Sequence, residues 1–214
     1  MPHDPFRLDF TALPDTLPIF PLGGAVVFPG TELPLNVFEP RYLNMVFDVL
    51  GSHRMFGMVQ PRSDSEGDPV PVYETGCAGR ITSFRETNDG RIILVLSGVS
   101  RFDIERELPT TRGYRLSVPR WDRFRVDYEE DTPPLGADST FLNTLREYLQ
   151  IKELDADWDS LKKAPSNRLV NTLSTVLPME NTDKQALIEA ISVADRLELM
   201  EGLFKMSSSG HDSV

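Results

Sequence analysis

Cysteine and histidine are nearly absent from this chain: Cys77 stands alone, and the histidines are His3, His53 and His211. One cysteine excludes an intrachain disulfide, and so small a set excludes a zinc site of the usual ligand types. Cys77, between Gly76 and Ala78 in a strand-like segment, reads as a small core residue and not as a nucleophile. His3 and His211 fall in terminal tails. His53, beside Gly51-Ser52 at a helix end, reads as a capping or solvated residue. No apolar run approaches the roughly 18 to 20 residues that span a bilayer. The opening MPHDPFRLDF lacks the basic and then apolar pattern of a signal peptide, so a cytoplasmic protein with no membrane partner is expected. There is no G-x-x-x-x-G-K-[ST] and no G-x-G-x-x-G joining a strand to a helix, which excludes an ATP-driven motor on this chain. Gly23-Gly24 reads as a turn or bulge, not a phosphate cradle. With no nucleophile and base pairing in sight, the sequence reads as non-catalytic and free of cofactors and metals.

What is present is a globular composition. Hydrophobic residues make up 40% and charged residues 26% of 214 residues, enough to hold a real core by burial. The net charge of -11 is unevenly spread. From Asp127 to Asp159 ten acids face Arg146 and Lys152, a local charge of -8. The first 126 residues hold sixteen acids against fourteen bases, all of them arginine. No net basic field draws phosphates, so nucleic acid is an unfavoured partner. The acidic band reads as a solvated linker and helix face, with a docking surface for a basic partner as the weaker reading.

The character changes along the chain. Before about residue 126 apolar residues alternate and turns are frequent; after about 137 the period is helical. The acid, proline and glycine run EEDTPPLGAD separates the two. The expected organisation is an N-terminal extension (1–15), a β-rich domain (16–128), a linker (129–137), a helical bundle (138–206) and a flexible tail (207–214). In the β-rich part, Leu17 to Leu22, Ala25 to Phe28 and Leu33 to Val37 read as short strands whose prolines 18, 21 and 34 belong at edges, bulges or corners. Pro40 opens a helix carrying Tyr42, Leu43, Val46, Phe47 and Leu50, closed by Gly51. Strands follow at Met55 to Gln60 and Val72 to Phe84. After the turn Asn88-Asp89-Gly90 comes RIILVL (Arg91 to Leu96), expected to be buried on both faces. Phe102 to Glu105 and a long alternating strand from Tyr114 to Tyr128 complete the set. Helices are expected around Phe141 to Leu149, Trp158 to Leu161, Leu169 to Leu177 (introduced by Pro165-Ser166-Asn167), Leu187 to Ile191 (capped by Thr182 or Asp183) and Leu197 to Phe204. Asp138-Ser139-Thr140 are candidate caps for the earliest of these. The expected fold class is α+β: a partly closed β-barrel or two packed sheets with one embedded helix, then a small helical bundle.

LPIFPLGGAVVFPGTELPLNVFEPRYLNMV resembles the first strands and helix of the Lon protease N-terminal, substrate-binding domain. YETGCAGRITSFRETNDGRIILVLSGVSRFDI is similar to that family's glycine-containing strand, hairpin and apolar strand leading to a G-x-x-R-F-like segment. LVNTLSTVLPMENTDKQALIEAISVADRLELMEGLF resembles its C-terminal helices. The resemblance covers most of residues 16 to 206. It implies a PUA-like pseudo-barrel followed by a helical bundle, and a role in binding polypeptides or partner proteins. Lon's ATPase and Ser-Lys protease domains have no counterpart in this sequence, and Ser160 with Lys162 is a chance spacing. The oligomeric state and the role in the cell are left open.

Asn36-Val37-Phe38-Glu39-Pro40-Arg41-Tyr42 is the sharpest local motif. Its structural reading is that Pro40 fixes the helix start, Glu39 lies at the positive end of the helix dipole and Arg41 pairs with a neighbouring acid. Its functional reading is that Phe38, Arg41 and Tyr42 line an exposed edge that meets an extended peptide. The chain then serves as a polypeptide-binding module for unfolded or tagged proteins, or as an adaptor to a separate protease. The alternative is RNA binding by an arginine face of Arg112, Arg115, Arg120, Arg123 and Arg125 with Tyr114, Trp121 and Phe124 stacking bases.

Overall fold

A computed structural model describes residues 8–62, 69–136 and 138–209. Six strands form one sheet: β1 (Leu17–Pro21), β2 (Glu32–Val37), β3 (Met55–Val59), β4 (Thr75–Glu86), β5 (Ile92–Leu108) and β6 (Arg115–Arg120). Helix α1 (Pro40–Leu50) is set among them. The order is β2-β5-β4-β3-β1-β6, and β6 also pairs with β5. That pairing closes five strands into a ring and leaves β2 as an edge strand beside the N-terminal half of β5. Pro34 lies on that edge strand, where a missing backbone donor costs least, and Pro18 and Pro21 fall near the two ends of β1. The helical half is α2 (Thr140–Ile151), α3 (Trp158–Lys163), α4 (Ser166–Val176), α5 (Asn181–Glu189) and α6 (Val193–Ser209). The mixed α+β class with a barrel and helices is as expected.

Consecutive residues divide between two cores. Ile19, Met55 and Ala78 join Leu17, Val59 and Phe102 in the smaller cluster. Their neighbours Phe20, Phe56 and Cys77 point the other way into the larger one. Strands of this barrel are therefore buried on both sides, which is why all five residues of β3 are buried. The larger cluster is continuous between the halves, joining Val27, Phe28, Leu94 and Leu96 to Leu142, Leu145, Leu169, Val170, Leu187 and Phe204.

Several local expectations change. Ala25 to Phe28 is not a strand: the backbone N–H and C=O of Phe28 are both engaged by the Thr31 hydroxyl, at 3.0 and 2.9 Å, so they join no ladder. This buried loop crosses β5 at Gly98, where a Cβ would lie 2.0 Å from the Phe28 carbonyl oxygen. The apolar run of β5 is not buried on both faces: Ile92, Leu94 and Leu96 are buried, whereas Ile93 is 40% exposed. The reason is that only β2 and β4 flank this end of β5, beyond the closed ring. Phe102 to Glu105 is the continuation of that same strand. The expected long strand to Tyr128 stops at Arg120, and Asp122–Tyr128 coils into 3-10 turns. Helix α5 starts at Asn181, ahead of the expected caps, with Glu180 at its N-cap and no side-chain cap bond. Ser139 occupies the N-cap of α2, again without a side-chain bond. Helix α6 continues to Ser209. His3, most of the polar loop after Pro61, and the last five residues with His211 lie outside the described residues.

Arg101 fastens the barrel to the bundle. Its side chain is fully buried and meets Asp127, itself 3% exposed, at 2.7 Å. Its remaining donors reach the carbonyls of Ile188, Ala190 and Ile191 at the end of α5. Arg196 donates to Ala190 and Ile191, and Arg123 to Glu189. Three guanidinium groups thus satisfy the orphan carbonyls at the negative end of one helix.

Candidate functional site

Pro40 occupies the first turn of α1, and Glu39 is its N-cap in extended conformation. The turn from β2 into this helix presents Phe38 to solvent, 61% exposed. Alternation explains the direction: Leu35 and Val37 face inward, so Phe38 turns to the side of Asn36 and of its cross-strand partner Ile93. The Arg91 guanidinium stands 5.8 Å from the Phe38 ring centre. An exposed aromatic ring, a half-open isoleucine and a guanidinium therefore share the free end of the β2–β5 pair.

Arg41 is exposed and pairs with Glu39 at 2.8 Å, as the structural reading expects, while its guanidinium also covers the Tyr42 ring at 4.6 Å. Tyr42 is not on the edge. It is 5% exposed and its ring packs edge-on against Phe20 with centroids 4.0 Å apart. Burial is the main cause that raises its hydroxyl pKa. The helical period places Tyr42 with Met45, Val46 and Val49 on the buried face of α1. Arg41 is engaged by Glu39 and Tyr42, and the surface consists of Phe38, joined by Arg91 and Ile93. The last two escape a sequence reading that takes RIILVL as doubly buried.

The arginine face of the RNA alternative is not assembled. Arg112 pairs with Asp48, Arg115 with Glu107, Arg123 with Asp103 and Arg125 with Asp122. Phe124 is fully buried, Tyr114 donates to Asp48 and Trp121 packs on Phe102. The 3-10 turns after β6 break the alternation that would have aligned these side chains.

His53 is half-buried, and its Nδ1 accepts the Met55 N–H at 3.1 Å; burial lowers its pKa. The Cys77 thiol is buried, and desolvation drives its pKa far above the usual thiol range. Ser160 hydrogen-bonds Asp157 in the cap of α3. Among the described residues no group of three or more His, Cys, Asp or Glu side chains is placed to hold a metal, and no helix is long and apolar enough to cross a membrane.

The sequence profile of the ATP-dependent protease La (LON) substrate-binding domain matches residues 16–205. The Lon protease of Parabacteroides distasonis is 28% identical over 81% of this chain and 22% of its own length. That of Elusimicrobium minutum is 26% identical over 92% of this chain and 24% of its own length. The chain therefore spans less than a quarter of the curated relatives it matches. A Lon N-terminal domain protein from Xanthomonas campestris superposes with a TM-score of 0.62 at 27% identity, covering 86% of this chain and 96% of that one. The N-terminal domain of the Mycobacterium avium complex Lon protease shares the fold, with a TM-score of 0.61 at 16% identity over 89% of this chain and 98% of its own. With the profile matching all but the two ends, the chain belongs to the Lon substrate-binding domain family.

Proposed function

We propose that this chain is a non-catalytic polypeptide-binding module that holds exposed apolar side chains of unfolded proteins against the surface around Phe38. The observation that carries this reading is Phe38 itself, a ring 61% exposed at the mouth of α1. A large apolar group left in water beside Ile93, with Arg91 at its rim, is a favourable seat for another aromatic or aliphatic side chain. The family's description as substrate-binding supports the same reading. Delivery of such clients, or of tagged proteins, to a separate protease is its finer form, and capture of one protease with many unrelated clients supports that step. A cytoplasmic setting agrees with an unpaired, buried Cys77.

The test is equilibrium binding of a permanently unfolded, fluorescently labelled model polypeptide. Phe38→Ser should weaken binding about tenfold, the worth of one buried aromatic contact, and leave stability within about 0.5 kcal/mol, as for other surface changes. Equal binding by wild type and variant, or none by the wild type at high micromolar concentration, rejects this surface.

A further inference from the structure

β2 pairs with β5 on one side, and among the described residues no strand lies on its other side. The ladder decides which of its main-chain groups face outward. Gly98 donates to the Thr31 carbonyl at 2.9 Å, one step beyond the Glu32–Ser97 pair of the register. Bonded and non-bonded pairs alternate along an antiparallel ladder. Leu33, Leu35 and Val37 therefore bond to β5, while Glu32, Pro34 and Asn36 turn their main-chain groups away from it. These three residues are exposed, and among the described residues no hydrogen bond from another segment reaches their main chain. The open edge offers the N–H groups of Glu32 and Asn36 and the C=O groups of all three.

Main-chain donors and acceptors at strand spacing are complementary to another main chain in extended form. The side chains beside the edge add an apolar row. On the outer face Pro34 is in register with Val95 and Asn36 with Ile93. Val95 is half-buried, Ile93 is 40% exposed, and Phe38 stands 61% exposed just past the end of the strand. A segment without proline, laid antiparallel on this edge, exchanges two bonds at Glu32, two at Asn36 and one at the Pro34 carbonyl. A second copy fits worse. With Glu32 opposite Asn36 it sets Pro34 against Pro34, two carbonyls facing each other with no donor between them, and in every register it brings a second missing donor. Each copy also carries a charge of -11, which opposes self-association. Pro34 thus blunts the edge toward its own kind and leaves a donor on either side of itself for a foreign strand.

Resting on the polypeptide-binding reading above, we propose that an extended segment of an unfolded polypeptide adds to β2 as a further, antiparallel strand. Its main chain bonds to Glu32, Pro34 and Asn36. Every second side chain lies on the outer face over Val95 and Ile93, and the one nearest the start of α1 meets the Phe38 ring. The occupant is selected by extended conformation and by alternate apolar side chains, with little demand on the rest of its sequence.

The experiment follows, by amide NMR, binding of a capped peptide of alternating valine and threonine to the full chain. The peptide should slow amide exchange at Glu32 and Asn36 and leave that at Leu33 and Leu35 as it is. Two further peptides are N-methylated, one on its valines and one on its threonines. Residues of an added strand whose side chains join the outer face are those whose N–H groups face β2, and the apolar row selects valine for that face. Methylated valines should therefore weaken binding at least about tenfold, the worth of two or three main-chain hydrogen bonds. Methylated threonines should change it less than about twofold. Equal loss in both methylated peptides, or loss in neither, overturns strand addition, as does unchanged exchange at Glu32 and Asn36. Exchange at these amides that slows with rising concentration of the chain alone assigns the edge to a second copy and overturns it too. Phe38→Ser separates the two claims: unfolded polypeptide bound as tightly by this variant, with the alternation between methylated peptides intact, rejects the Phe38 surface and upholds strand addition.

Discussion

At the scale of single residues, two buried polar groups dominate. Arg101 is fully buried against Asp127, so Arg101→Ala leaves a carboxylate in the interior without its cation and the Ile188 carbonyl without its side-chain donor, while Ala190 and Ile191 keep Arg196. Breaking a buried pair in this way costs about 3–5 kcal/mol, to be read as a fall in the urea midpoint. Arg123→Ala should cost far less, because that side chain is 40% exposed and solvent screens its pair with Asp103. His53 sets a pH dependence. Its imidazole accepts a backbone hydrogen bond through Nδ1, a role that needs the neutral ring, and its folded pKa is lowered by burial from 6.5. A base with a depressed folded pKa binds protons more readily when unfolded. Its contribution is therefore complete above pH 6.5 and is lost as pH falls through the folded value. Stability should decline on acidification below that point, and His53→Gln should flatten the decline; an unchanged slope shows that other groups set it.

At the scale of elements, α6 begins with a reciprocal cap: the Ser192 hydroxyl accepts from the Asp195 N–H at 3.0 Å, and Asp195 accepts from the Ser192 N–H at 3.1 Å. Ser192→Ala should cost about 1 kcal/mol and speed amide exchange in the first turn of α6; unaltered exchange removes the cap from the account. The elements themselves were largely legible. Helical spacing located α1, α2 and α4, and Pro40 with Gly51 fixed both ends of α1. Strand periodicity failed where tertiary contacts decide. Ala25 to Phe28 is as apolar as a strand, yet the backbone groups of Phe28 bond to the Thr31 hydroxyl. The residues after Arg120 alternate, yet Asp127 is drawn in by Arg101 and the chain coils. Of the candidate surface, Phe38 was legible from its motif, whose Arg41 pairs with Glu39 instead. Ile93 and Arg91 reach it only through the register between β2 and β5, which spacing along one chain does not encode.

At the scale of the whole molecule, one shared interior joins the strand half to the helical half. The larger core runs from the strands into the helices, and Arg101, Arg123 and Arg196 tie the end of α5 to that junction. Apolar residues are also exposed elsewhere, with Val176 of α4 at 64%, so exposure alone does not single out Phe38; its company of Ile93 and Arg91 does. The direct measurement places a photo-reactive phenylalanine analogue at position 38 and, separately, at position 176, and compares cross-linking to one unfolded model polypeptide. Strong cross-linking from position 38, competed by unlabelled polypeptide, with little from 176 is the predicted result. Equal cross-linking from both positions, or more from 176, contradicts it.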